Sequence, residues 1–356
     1  RRPAGPGAQP DDGVTGRALR RPELPLRSRF GLGSAMLKTR LAIPALVLLA
    51  LNAACASSNR ADPAPATARG VALLESLPPS AYLALNSASG DRATLDAIAD
   101  RCARADAVLI GEMHGHPVGL AFGAHLFDAI LERNPDAVLS MEFFERDEQA
   151  AIDDYLAGIT DEEGFRKATG RTDSNYPPGH RAMVERAKVG ARPVVAANAP
   201  RHYARLARTS GFDRINEMTP AQRRLVEIPG VIEDSAYRTR FLDLMSGMGG
   251  HGAEMSDEEA RSMADAFFRA QAVWDETMGD SVADATRLGT PVVHVVGRFH
   301  VERPSEGGGL TQEIRDRLGA GADLVVVLMD DASPGSPPED WQSLADYVVL
   351  VGPMPE

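Results

Sequence analysis

Six short apolar runs punctuate the chain from residue 107 onward: 107–110, 137–141, 193–197, 291–296, 324–329 and 347–351. They are rich in Val, Leu, Ile and Ala and bounded by turn-forming residues, which is how strands buried on both faces read. Between them apolar positions recur at helical spacing. Leu120, Ala124, Phe127 and Leu131 form one stripe over 118–133, closed by Asn134-Pro135. Helices are predicted likewise over 95–105, 146–156, 181–189 and 310–318. Strands alternating with helices imply an α/β fold with a mostly parallel central sheet flanked by helices.

The interval between the third and fourth predicted strands holds more than one crossover. Ser256 followed by Glu259 is a capping box, and Met263, Phe267, Ala270 and Trp274 carry one helical face toward Met278. A helical insert is predicted there, with its apolar stripe packed on the core. The glycine-rich stretch 247–252, which includes His251, makes this insert a natural lid.

Residues 1–35 are rich in Arg, Pro and Gly without apolar periodicity, and read as upstream readthrough or a disordered leader. At Met36 the pattern changes. Lys38 and Arg40 precede an apolar run over 41–51, and Ala53-Ala54-Cys55 follow. This is the layout of an export signal over 36–54, too short to span a bilayer. Cys55 after two small residues fits a bacterial lipoprotein acylation site, although Asn52 stands where an aliphatic residue is usual. Residues 55–76 then form a lipid anchor and flexible tether, and the folded domain covers 77–356. The expectation is an exported chain held at the bacterial envelope, on the outer membrane, through Cys55.

The chain has 38 Lys and Arg against 50 Asp and Glu. Nine of the former and three of the latter lie in 1–54, so the remainder carries a formal −18. Such a surface repels phosphate backbones and excludes nucleic acid as a partner. Only Cys102 remains besides Cys55, and it reads as a small buried hydrophobe.

In an open parallel sheet, ligands collect at the carboxyl ends of the strands. Two similar motifs fall at such ends, Gly111-Glu112-Met113-His114 and Gly297-Arg298-Phe299-His300, with Glu142, Asn198 and Arg201 after the strands between. The glycines are expected to turn the chain sharply and bring the following side chains to a ligand. His114, His300, Glu112 and Glu142 are a fitting donor set for a divalent metal such as Mn, Co or Zn. In a metal-dependent hydrolase of peptide or ester bonds, Glu112 or Glu142 would activate water, while Arg201 or Arg298 would stabilise negative charge. Alternatively one histidine acts as base while a carboxylate orients it. His294 reads as a hydrogen-bonded core residue, and His116, His125 and His202 as solvated or supporting. Tyr176 lies in an irregular loop with its phenol accessible.

Several segments together resemble the ChaN-like haem-binding lipoproteins, within the wider group that includes the TIKI metalloproteases, the TraB proteins and the erythromycin esterases. They are VLIGEMH at 108–114, LSMEFFE at 139–145, VVAANAPR at 194–201, AQAVWDETM at 270–278 and VVGRFHV at 295–301. The resemblance implies haem as cofactor in haem or iron acquisition, and a homodimer stacking two haems. It maps the family's site onto Glu112, His114, Glu142 and His300. It implies a tyrosinate or a histidine on the haem iron and offers Tyr176 as the tyrosinate, a role suited to an anionic oxygen donor. Without catalysis, the same cleft could hold a small anionic ligand with Arg201 and Arg298 as its anchors. Gly115 and Gly119 stand where many relatives carry an acidic residue and later histidines, so no ligand is carried over there.

Overall fold

Every residue of β2 (Ala107–Glu112), β5 (Val292–Gly297) and β6 (Leu324–Asp330) is buried. Successive side chains of a strand point to opposite faces, so a strand buried throughout needs cover on both. Val108 and Ile110 pack against α1 (Leu95–Cys102), α2 (Pro117–Arg133) and α5 (Pro178–Val189). Ala107 and Leu109 pack on the other face, against α10 (Asp257–Ala285) and α11 (Gly309–Leu318). This computed structural model describes residues 74, 76–78, 80–232, 234–248 and 256–355. The leader, the export signal, Cys55, the tether to residue 73 and residues 249–252 of the glycine-rich stretch lie outside the described residues.

The sheet has seven strands in the order β1 (Leu83–Asn86), β7 (Tyr347–Leu350), β6, β2, β5, β3 (Val138–Glu145) and β4 (Val194–Asn198). All neighbours are parallel except β1, which runs antiparallel to β7. The six predicted strands are all present. The four-residue edge strand β1 was not predicted, because only its middle two residues are buried. From β2 the chain passes to α2 on one face, and from β5 to α11 on the other. The loops after these two neighbours therefore part, leaving a crevice at their carboxyl ends.

Between β4 and β5 lie α6 (Arg201–Ser210), α7 (Asp213–Asn216), α8 (Pro220–Arg223), α9 (Ala236–Met248) and α10. The Ser256–Glu259 capping box starts α10, which continues past Met278 to Ala285. Met263 does not join the packed stripe; it is 42% exposed. Two further boundaries differ from expectation. Arg146–Glu148 is a 3-10 turn ahead of α3 (Gln149–Leu156). Helix α5 starts at Pro178 rather than 181, with proline in the first turn, where a missing N–H costs nothing. An unpredicted α4 (Glu162–Ala168) lies between α3 and α5.

Helices α2 and α5 are in close contact at Gly179, where an added Cβ would stand 2.6 Å from the Leu120 carbonyl oxygen. A backbone atom cannot swing aside as a side chain can. The Gly179→Ala substitution is expected to destabilise the fold by about 1–3 kcal/mol. Urea unfolding measures this, and an unchanged midpoint would show that the two helices separate freely.

Candidate functional site

Two chains of polar groups, one from each side of the sheet, meet at the carboxyl ends of β2, β3 and β5. On the first side, the Glu112 carboxylate at the end of β2 contacts two imidazoles. His114 Nδ1 lies 3.0 Å from Oε1, and His180 Nε2, from the start of α5, lies 2.6 Å from Oε2. An ionised carboxylate only accepts, so both ring nitrogens donate. Burial alone would raise the Glu112 pKa, but the combined pull of His180 and His114 brings it down to about 2. Glu112 is thus a fixed anion and not a group that exchanges protons near neutrality. The hydrogen bond to Glu112 in turn raises His114, with the nearby carboxylates adding to it.

On the second side, His300 follows β5 on a 3-10 turn and is buried. Its Nδ1 donates to Asp275 of α10 at 2.5 Å, and Tyr237 of α9 donates to the other Asp275 oxygen at 2.6 Å. Gln271, one turn before Asp275, donates to the Tyr237 hydroxyl at 2.7 Å. Burial disfavours a charge on His300, yet Asp275 and then Glu142 overcome it and lift its pKa to about 9. Its Nε2 faces Glu142 Oε1 at 3.6 Å.

Glu142 belongs to β3, where the pairing with β4 shifts register between Met141 and Glu145. Such irregularities re-aim side chains. Glu142 Oε2 accepts the Gly297 N–H at 2.6 Å. The two chains converge over this glycine, whose Cβ would lie 2.9 Å from His114 Nε2 and 3.5 Å from Glu142 Oε2. Gly111 is equally confined, by Leu328 and Val301 at 2.7 and 2.8 Å. Neither glycine has a positive φ, so their role is close approach and not the sharp turn expected. That turn is made by Gly115, at φ +79°, as the chain leaves His114 for α2.

The convergence forms a cleft of about 290 Å³ lined by Glu112, His114, Glu142, His180, Asn198 and Arg201, among others. Asn198 is buried there with its Oδ1 unpartnered, as is His180 Nδ1. The Arg201 side chain is 85% exposed at the mouth, paired with Glu145 at 3.2 Å. Arg298 does not join them. It turns to Asp330 at 2.9 Å and Glu302 at 3.2 Å. Tyr176 is not an accessible phenol: it is buried, stacked on Phe143 and edge-on to Phe144 and Phe165. Its hydroxyl has no hydrogen-bond partner, and burial raises its pKa well above that of a free phenol.

Of the four residues expected to share a metal, Glu112, Glu142 and His300 are engaged with neighbouring groups, whereas His114, among the described residues, is held only through Nδ1. Among the described residues no group of three or more His, Cys, Asp or Glu is arranged to hold a metal ion. His116 is not solvated; it is buried and caps α2, accepting from Gly119 N–H at 3.2 Å, with its Nε2 3.1 Å from the Gly352 carbonyl. His294 is the core residue expected, 2.9 Å from Ser140 Oγ, and burial drives its pKa down to about 3. Cys102 is likewise buried, its thiol pushed up to about 12 by burial. His180, Asp275, Gln271 and Tyr237 were missed. The four-residue spacing of Gln271 and Asp275 on an otherwise apolar helix face was a usable signal, as was a histidine directly after Gly179.

These shifts fix how stability depends on pH. His300 has a folded pKa of about 9 against an ordinary 6.5, so its contribution is fully present below 6.5 and lost as pH rises through 9. Glu112 has about 2 against 4.5, so its contribution is present above 4.5 and lost as pH falls through 2. Urea midpoints are expected to fall on both flanks, and the alkaline fall to disappear in Asp275→Asn. A wild-type midpoint that is flat from 6.5 to 9 would show that His300 is not held charged.

A structure titled as cofacial haem binding to ChaN of Campylobacter jejuni matches with a TM-score of 0.57 at 16% identity, covering 76% of this chain and 96% of that one. The type III effector HopBA1 matches at 0.39 with 14% identity, over 78% of this chain and 100% of its own. The erythromycin esterase EreC in its open conformation matches at 0.37 with 14% identity, over 71% and 77%. No curated protein matches the sequence. Residues 98–314 match the family described as haem-binding uptake, Tiki superfamily, ChaN, and the chain belongs to that family.

Proposed function

We propose that this chain is an exported, envelope-anchored protein that binds haem as cargo for haem or iron uptake, and that it presents His114 to the iron. The observation that carries the reading is the state of His114. Its side chain is 69% exposed, its Nδ1 is held by Glu112, and its Nε2 makes no hydrogen bond among the described residues. A metal-binding histidine characteristically donates its other ring nitrogen to a carboxylate, which fixes the ring and strengthens it as a ligand. The residues present therefore fit an iron porphyrin at the cleft mouth.

The cleft volume sits just under the range of sites that enclose a sizeable ligand. What the chain offers haem is thus an open face, where His114 and Arg201 are exposed beside Ser174 and Asn175. Tyr176 reaches the iron only if its aromatic cluster opens. A homodimer would cover such a face. A lipid on Cys55 would hold the protein at the membrane, and fractionation of Cys55→Ser tests that anchor by its release into the soluble fraction.

Haemin titration tests the reading. Wild type is expected to shift the Soret band at micromolar haemin, His114→Ala to weaken binding and move the band, and Tyr176→Phe to leave both unchanged. Absence of any shift in wild type removes the proposal. Loss in Tyr176→Phe alone would transfer ligation to the phenol. A second reading, hydrolysis with His114 as base oriented by Glu112, rests on the same contact. It takes precedence if haemin fails to bind while ester turnover depends on His114.

A further inference from the structure

We infer that His180 is a positioning residue that decides which nitrogen of His114 carries the proton, and so whether the Nε2 facing the cleft is a bare lone pair. The buried Glu112 carboxylate has one oxygen for each imidazole, at 3.0 Å from His114 Nδ1 and 2.6 Å from His180 Nε2. Both nitrogens must donate, because the carboxylate only accepts. With its proton on Nδ1, neutral His114 turns a bare Nε2 lone pair toward the cleft.

That selection depends on Glu112 staying ionised and oriented, and His180 is what holds it. The His180 ring is buried, stands 4.8 Å from the Phe143 ring, and follows the tight Gly179 contact between α2 and α5. It is a rigid donor. Without it Glu112 Oε2 would be a buried carboxylate oxygen lacking a donor, an arrangement that favours rotation of the group away from His114. His114 would then be free to carry its proton on either nitrogen. The side chain that settles the matter lies 68 residues from Glu112 in sequence and on a different element, α5.

The part of this proposal that concerns haem rests on the reading that His114 meets the iron; the tautomer does not. Nitrogen NMR of histidine-labelled protein without haem, with His114 neutral, is expected to show a single form protonated at Nδ1. In His180→Phe a mixture of the two forms is expected. His180→Gln keeps an N–H donor near the place of Nε2 and should restore the single form. With haemin, His180→Phe is expected to bind about 10–100-fold more weakly. His180→Gln should recover most of that affinity, and the iron reduction potential should move in the first variant and return in the second.

A wild-type His114 protonated at Nε2 overturns the proposal, and this measurement needs no variant to fold. So does a folded His180→Phe that keeps both the wild-type tautomer and affinity. If the tautomer shifts but neither His180→Phe nor His114→Ala changes haemin binding, the positioning role stands and the iron-ligand reading fails.

Discussion

A charged carboxylate at the buried end of the central strand is the constraint around which the rest is arranged. Glu112 closes a strand whose other residues are apolar or glycine, so no water shell can compensate it. Burying such a charge is tolerable only when donors meet it. One donor comes from the loop after β2 and the other from the first turn of α5. The requirement therefore fixes the loop, the start of the helix and the close packing of α5 on α2. A glycine beside His180 follows from the same demand.

The opposite face solves a similar problem with an ion pair. His300 and Asp275 are both buried, and each offsets the other's desolvation. Tyr237 and Gln271 complete their hydrogen bonding, as a buried polar network requires. With the inner charges paired, the cleft turns the His114 imidazole and the Arg201 guanidinium outward, beside the neutral Ser174 and Asn175.

Much of this was readable in the sequence. Six strands were legible because parallel strands buried on both faces are unbroken apolar runs. Glu112, His114, Glu142 and Arg201 were legible because strand ends collect chemistry. Arg298 and His300 share a motif, yet the 3-10 turn after Gly297 sends Arg298 to Asp330 and His300 inward. Spacing alone cannot separate these directions. Tyr176 was misjudged because a Tyr-Pro-Pro loop reads as exposed, whereas Phe143, Phe144 and Phe165 enclose it. His180, Asp275 and Tyr237 act on partners 68, 25 and 38 residues away, and only the fold brings such positions together.

The site is divided between the two helical layers. His180 and Glu112 belong with α2 and α5, whereas His300, Asp275 and Tyr237 belong with α9 and α10. The halves are joined across Gly297 by one short bond from its N–H to Glu142, and behind it by the long 3.6 Å approach of His300. Glu142 is thus the side chain that meets both halves, and a change of charge or position on either face reaches the other through a single carboxylate.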